Sequence, residues 1–262
     1  MKSQKTPLFI LITYIIMYFS PFLVVRPIAS IIKSVNPDLN EKEFIAMTQG
    51  WTTFSTFLVG LLIVVFFILR DKNFLKNGFK GGERASTPVA IGWGILGFFI
   101  VLAAQMLGGI IETSLGIKAG SESTEILSTV ASVSPIIIFS IVFFGPFLEE
   151  VVFRRIIFGS LNQTTNFWIA TLVSAVVFGL IHNEFSHLIL YTSTGLVFAF
   201  LYNKTKRLLT TVISHIMLNG FVMLIQLNQD KIMEFIKQAE KLGSVSNVGV
   251  NEIGFSISFT FF

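Results

Sequence analysis

The chain contains no cysteine. That excludes a disulfide-stapled secreted domain, and it removes thiol nucleophiles and thiolate metal sites. Charge is scarce as well: Asp, Glu, Lys and Arg make up 13% of 262 residues, about half the share of an ordinary soluble domain. With apolar residues at 53%, neither a soluble globular fold nor a solvated disordered coil fits. No basic run is dense enough for nucleic acid, and the formal net charge is only +4. No internal repeat or low-complexity linker divides the chain. A single membrane domain over residues 1–262 is the expectation.

What is present is apolar length. Mean hydropathy is +0.76, and the excess is spread along the whole chain, so the fold class expected is all-α, a polytopic transmembrane helical bundle. A span needs roughly 20 mostly apolar residues. Candidates cover residues 8–25, 44–69, 89–111, 130–150 and 208–227. A further apolar stretch, 167–202, is interrupted only around His182, Asn183 and Glu184. It reads as a short helical hairpin, which brings the count to about seven spans. The first candidate looks like a signal peptide, but Arg26-Pro27 stands where a small-residue cleavage site belongs, so it reads as an uncleaved anchor.

Loop charges assign the sides. Arg70, Lys72, Lys76, Lys80 and Arg84 outnumber Asp71 and Glu83, which marks that loop as cytoplasmic. Residues 112–125 hold Glu112, Glu122 and Glu125 against Lys118 and fall outside. Arg154, Arg155, Lys204, Lys206, Arg207 and the N-terminal Lys2 and Lys5 fall inside again. One alternating path satisfies all of these, with the N-terminus cytoplasmic in a multi-pass cell-membrane protein. Residues 228–262 form a polar tail: 230–241 is amphipathic at best, and 249–262 alternates polar and apolar residues without the length to span.

Ionisable side chains are costly in a bilayer and mark functional positions in a bundle interior. Three places within residues 130–227 qualify. Glu150 and Arg154 are i,i+4 neighbours and can pair. Glu149, about 100° further round a helix, then faces a different partner and points into a cavity; an interfacial cluster of charges is the plainer alternative. Phe178 and His182 share a face, and a lone intramembrane His is more often a structural hydrogen-bonder than a catalyst. His215 and Asn219 also share a face. They either bridge neighbouring helices or donate to one developing negative charge.

In this order and spacing, E-E-x-x-x-R, F-x-x-x-H and H-x-x-x-N across residues 149–219 resemble the CPBP family. These are the CAAX proteases and bacteriocin-processing enzymes, also called Abi, intramembrane glutamic endopeptidases related to the Ras-converting CAAX endopeptidase. The likeness covers the C-terminal half; the first four spans resemble the family by hydropathy alone. It implies Glu149 as general base, with His182 orienting or polarising the water. His215 and Asn219 would form the oxyanion hole, and Glu150, Arg154 and Phe178 would support the site. General-base chemistry suits a carboxylate shielded from bulk water, and fixed donors stabilise an oxyanion best there. A zinc set of Glu149, His182 and His215 is the alternative. No H-E-x-x-H is present, and a metal-free, cofactor-free water is preferred.

The expected partners are the lipid bilayer and a membrane-associated peptide or protein substrate, with no nucleic acid. The Phe-, Ile-, Asn- and Lys-rich composition looks like that of an AT-rich bacterium, where prenylated CAAX substrates are generally lacking. A bacteriocin or pheromone precursor, or a membrane-anchored regulator, fits better. The alternative function is a non-proteolytic immunity or scaffold protein that binds a peptide or a sensor kinase. A transporter is disfavoured, since neither paired half-repeats nor broken helices are evident. One tension remains. Residues 167–182 make roughly 24 Å of helix, short of the ~30 Å hydrocarbon core. The hairpin tip, Asn183-Glu184-Phe185, is therefore expected inside the membrane region and covered by protein. There it would hold His182 near Glu149 and open the site to the cytoplasm.

Overall fold

The computed structural model describes residues 5–76 and 78–241, and every regular element among them is helical. Helix α1 (Lys5–Phe19) meets α2 (Pro21–Val35) at a 50° bend around Ser20. Pro21 has no N–H to continue the α1 ladder, but it fits the first turn of a new helix. Helix α3 (Glu41–Arg70) opens on a capping box: Asn40 accepts from the Glu43 N–H at 3.0 Å, and the Glu43 carboxylate accepts from the Asn40 N–H at 3.1 Å. Next come α4 (Thr87–Ser114), α5 (Glu122–Val133) and α6, a continuous helix over residues 137–164. The hairpin consists of α7 (Phe167–Leu180) and α8 (Leu188–Thr205), the latter preceded by a 3₁₀ turn, Phe185–His187. Helices α9 (Leu208–Leu227) and α10 (Gln229–Lys241) complete the described chain.

Helices α3, α4, α9 and the segment Phe185–Thr205 are each long and apolar enough to cross a membrane, and the bent α1–α2 pair makes a fifth if it counts as one. The protein is thus a multi-pass, all-helical membrane bundle. The other two sequence candidates differ in kind. Helix α7 is apolar but has only 14 residues, and α6 buries Glu149, Glu150, Arg154 and Arg155 along its middle. The first sequence candidate, residues 8–25, is also interrupted by the bend at Ser20, contrary to the expectation of unbroken helices.

Small residues let the central helices approach closely. A Cβ on Gly195 of α8 would lie 2.8 Å from the Ala175 Cα of α7, and one on Gly97 of α4 would lie 2.4 Å from the Ser214 Oγ of α9. Across the α4–α9 seam, Ser214 Oγ donates to Gly94 O at 2.7 Å and Thr210 Oγ to Ala90 O at 3.2 Å. Such small-residue seams, stitched by hydroxyls, are the usual way helices pack where lipid offers no hydrophobic drive. The basic segments gather at one end. Arg84 donates to Leu75 O and Lys206 O, Arg155 to Phe74 O, and Arg207 to Ala85 O.

Two sequence expectations need correction. Glu112 is not a loop residue. It is buried in the last turns of α4, where Oε2 lies 2.9 Å from His187 Nδ1 and Oε1 accepts the Leu190 N–H at 2.9 Å. A charge at the end of an apolar run reads as loop, whereas here it caps the start of α8. The hairpin tip is not covered by protein either: Asn183 and Phe185 are exposed. The tip docks on the α4–α5 corner, at the end of α4 away from the basic loop. Residues 230–241 are helical. Lys2 and residues 249–262 lie outside the described residues.

Candidate active site

Helix α6 carries the first motif, and its geometry is not that of a regular α-helix. Two π segments, Ser140–Phe144 and Glu150–Phe158, flank a single α turn, Gly145–Glu149. Pro146 accounts for the first. In the wider ladder the Gly145 N–H reaches back to Ser140 O, and the next donor would be residue 146, which as proline has none. Ile141 O is left without a partner inside the helix, and Asn219 Nδ2 donates to it at 2.9 Å. Asn219 thus bridges α9 to α6 and fills the place of a missing backbone donor. π segments occur mostly as local insertions, frequently at functional sites.

The second π segment opens at the carboxylates. Glu150 is fully buried and ion-paired to Arg154, Oε2 to Nε, at 3.1 Å. Its other oxygen, Oε1, lies 3.0 Å from His215 Nδ1. Glu149 Oε2 lies 3.7 Å from the opposite nitrogen, His215 Nε2, and has no hydrogen-bond partner. The expectation that the two carboxylates face different residues is therefore corrected. Both converge on one imidazole from its two sides, because a π turn advances each residue by less rotation than an α turn. Glu149 is the more open of the pair, 8% exposed against 0% for Glu150.

Aromatic rings close the set. The Arg154 guanidinium lies over Phe178 at 4.5 Å and Phe198 at 5.1 Å, while its two terminal nitrogens have no hydrogen-bond acceptor. His215 packs on Phe198 at 4.8 Å and against Phe178 at 5.9 Å. Phe178 also touches Phe153 at 5.3 Å and His182 at 4.8 Å, so it stands between the two histidines. His182 lies one turn beyond it, with Nδ1 2.8 Å from Phe178 O and its ring stacked on Tyr191 at 4.2 Å. The structure thus gathers Glu149, Glu150, Arg154, His215 and Phe178 directly. Asn219 is joined through Ile141 O, and His182 through Phe178. Among the described residues no three His, Cys, Asp or Glu side chains gather to hold a metal ion, so the Glu149, His182 and His215 set is not assembled here.

Sequence reasoning missed several neighbours. Tyr14 of α1 is buried edge-on to Phe153 at 6.1 Å. One turn on, Tyr18 Oη accepts from Asn183 Nδ2 at 2.5 Å and donates to Ile181 O at 3.2 Å. The i,i+4 spacing of these tyrosines in the first span was the available signal. Glu184, Tyr191 and Phe198 were likewise absent from the expected site.

Comparison with known proteins identifies the family. The family model described as Type II CAAX prenyl endopeptidase Rce1-like matches residues 131–221. The chain is 37% identical over 236 residues to the "Putative membrane peptidase YdiL" of Bacillus subtilis, covering 90% of this chain and 94% of that protein. It is 33% identical over 238 residues to the "Membrane-embedded CAAX protease MroQ" of Staphylococcus aureus, covering 87% and 92%. A shorter likeness, 29% over 164 residues, links it to the "UPF0177 protein YxdF" of Lactococcus lactis, covering 62% and 89%. No solved structure matches. Motifs, helical membrane architecture and near-full-length relatives agree, and the chain belongs to the CPBP family, the CAAX protease and bacteriocin-processing proteins.

Proposed function

We propose that this chain is an intramembrane endopeptidase that hydrolyses a peptide bond of a membrane-associated peptide or protein, using a water activated by Glu149. The observation that carries the reading is the convergence of Glu149 and Glu150 on the two nitrogens of His215. With His215 protonated, two carboxylates face one guanidinium and one imidazolium, so the buried set is neutral. Glu150, held by Arg154, fixes the ring through Nδ1–H. The unpartnered Oε2 of Glu149 is then free to take a proton from water. The hydroxide attacks the scissile carbonyl, and the oxyanion receives Nε2–H of His215 and the second amide hydrogen of Asn219. Glu149 passes its proton to the departing amine. His182 has Nδ1 committed to Phe178 O, which leaves Nε2 to orient the water. The basic end of the bundle faces the cytoplasm, and the N-terminus with it.

The test is Glu149→Gln, which keeps the shape of the side chain and removes the base. Precursor should accumulate in membranes at an unchanged level of the protein, with turnover reduced about 100-fold or more. Cleavage at the parental rate would overturn the mechanism.

A further inference from the structure

The turn that follows His182 has no helical ladder, and its backbone is strained: Asn183 has φ 56°, in the left-handed region. Something other than the ladder must hold it. Glu184 supplies three of the ties, beside those of Tyr18 to Asn183 and of Glu112 to His187. Its Oε1 accepts the Ser121 hydroxyl and the Ser123 N–H, both at 2.8 Å, and its Oε2 accepts the Tyr191 hydroxyl at 2.7 Å. The carboxylate therefore sits at the N-terminus of α5, a 12-residue helix, where first-turn N–H groups and the helix dipole favour an anion. Tyr191 is buried at 3% exposure, and its ring lies nearly parallel to His182, 21° apart at 4.2 Å.

We infer that Glu184 is a positioning residue for His182, acting through Tyr191 and the start of α5. Three contacts set the imidazole plane: the Nδ1 bond to Phe178 O inside α7, the Phe178 ring and the Tyr191 ring face. The Tyr191 hydroxyl is tied to Glu184, which also pins the turn to α5. A corner at the far end of α4 from the basic loop thereby determines where His182 Nε2 points. Misplacement by about 1 Å is enough to cost a reaction about 100-fold. The inference rests on the reading of His182 as part of the site, but its test does not depend on catalysis.

The chain has three histidines, so histidine-selective isotope labelling of the full protein in lipid nanodiscs gives three imidazole signals, assignable by single His→Asn variants. In Glu184→Ala the His182 signal should shift or broaden while the His215 signal, fixed by Glu150, stays in place. Amide exchange over residues 181–190 should rise about tenfold or more, since three hydrogen bonds are lost. Glu184→Gln, which keeps an acceptor for Ser123, should restore most of both. Where Glu184→Ala yields no folded protein, Tyr191→Phe carries the test: the ring remains, the hydroxyl tie goes, and the His182 signal should move alone. An unmoved His182 signal in Tyr191→Phe or in folded Glu184→Ala overturns the inference, as does an equal disturbance of His215. The Glu149→Gln result stands or falls separately, because it is read from precursor cleavage.

Discussion

At Arg154 a cation with zero exposure meets two ring faces and one carboxylate. A planar guanidinium lies flat between Phe178 and Phe198, whereas an ammonium is a compact point charge that cannot, so Arg154→Lys is not conservative here. Removing one partner of a buried ion pair costs about 3–5 kcal/mol because the other charge is stranded. Arg154→Met or Glu150→Gln alone should therefore lower the thermal midpoint and yield in detergent, and the double variant should recover a large part of the loss. Glu184 offers a test by pH. Burial opposes its ionisation, but the Ser123 N–H and the Tyr191 and Ser121 hydroxyls outweigh that and hold its carboxyl below the ordinary value. A folded value below the unfolded one makes its ties fully present above about pH 4.3 and lost as pH falls through the lowered value. Amide exchange over 181–190, corrected for its intrinsic rate, should stay level from neutral pH to that point and climb below it, with no such step in Glu184→Gln. The Glu150–Arg154 pair was legible in the sequence because i,i+4 spacing brings side chains together in any helix-like ladder. Glu112 and Tyr191 were not: a carboxylate ending an apolar run resembles a loop charge, and a tyrosine inside one resembles core.

Helix α6 shows what sequence pattern misses at the scale of an element. Its existence followed from its apolar length, but the shift of its ladder by one residue leaves no periodic trace. That shift turns Glu149 and Glu150 toward one imidazole. The clue was chemical: a proline at 146 and an Asn at 219 that supplies the donor the proline lacks. Asn219→Leu should destabilise the protein by about 1–3 kcal/mol, the cost of leaving Ile141 O buried and unpaired. In a Pro146→Ala background the new backbone N–H can serve Ile141 O, so the same change should cost less than half as much. Thermal denaturation of the four proteins closes the double-mutant cycle; strict additivity would remove Asn219 from that role. The hairpin was legible too, through the break at residues 182–184. Its docking against α5 was not, since Glu184 bonds residues more than 60 positions away.

For the whole molecule, the sequence gathered the basic segments on one side, and the structure brings Arg84, Arg155 and Arg207 to one end of the bundle. With no native cysteine, single introduced cysteines map the faces cleanly. Lys118 and Ser186 are both exposed at the end opposite Lys80. On intact cells an impermeant thiol reagent should label Lys118→Cys and Ser186→Cys but reach Lys80→Cys only after lysis. Labelling of Lys80→Cys alone would invert the orientation. The three arginines carry a further consequence. During biogenesis the orientation follows how many positive charges stay behind. Once the bundle has folded, each arginine also clasps a main-chain carbonyl of the loop or the turn beside it. Replacing all three by lysine keeps the first quantity and weakens the second. Such a protein should insert the same way round and still offer residues 70–85 to a protease added to inside-out vesicles, which separates the address written in its charge from the fold written in its geometry.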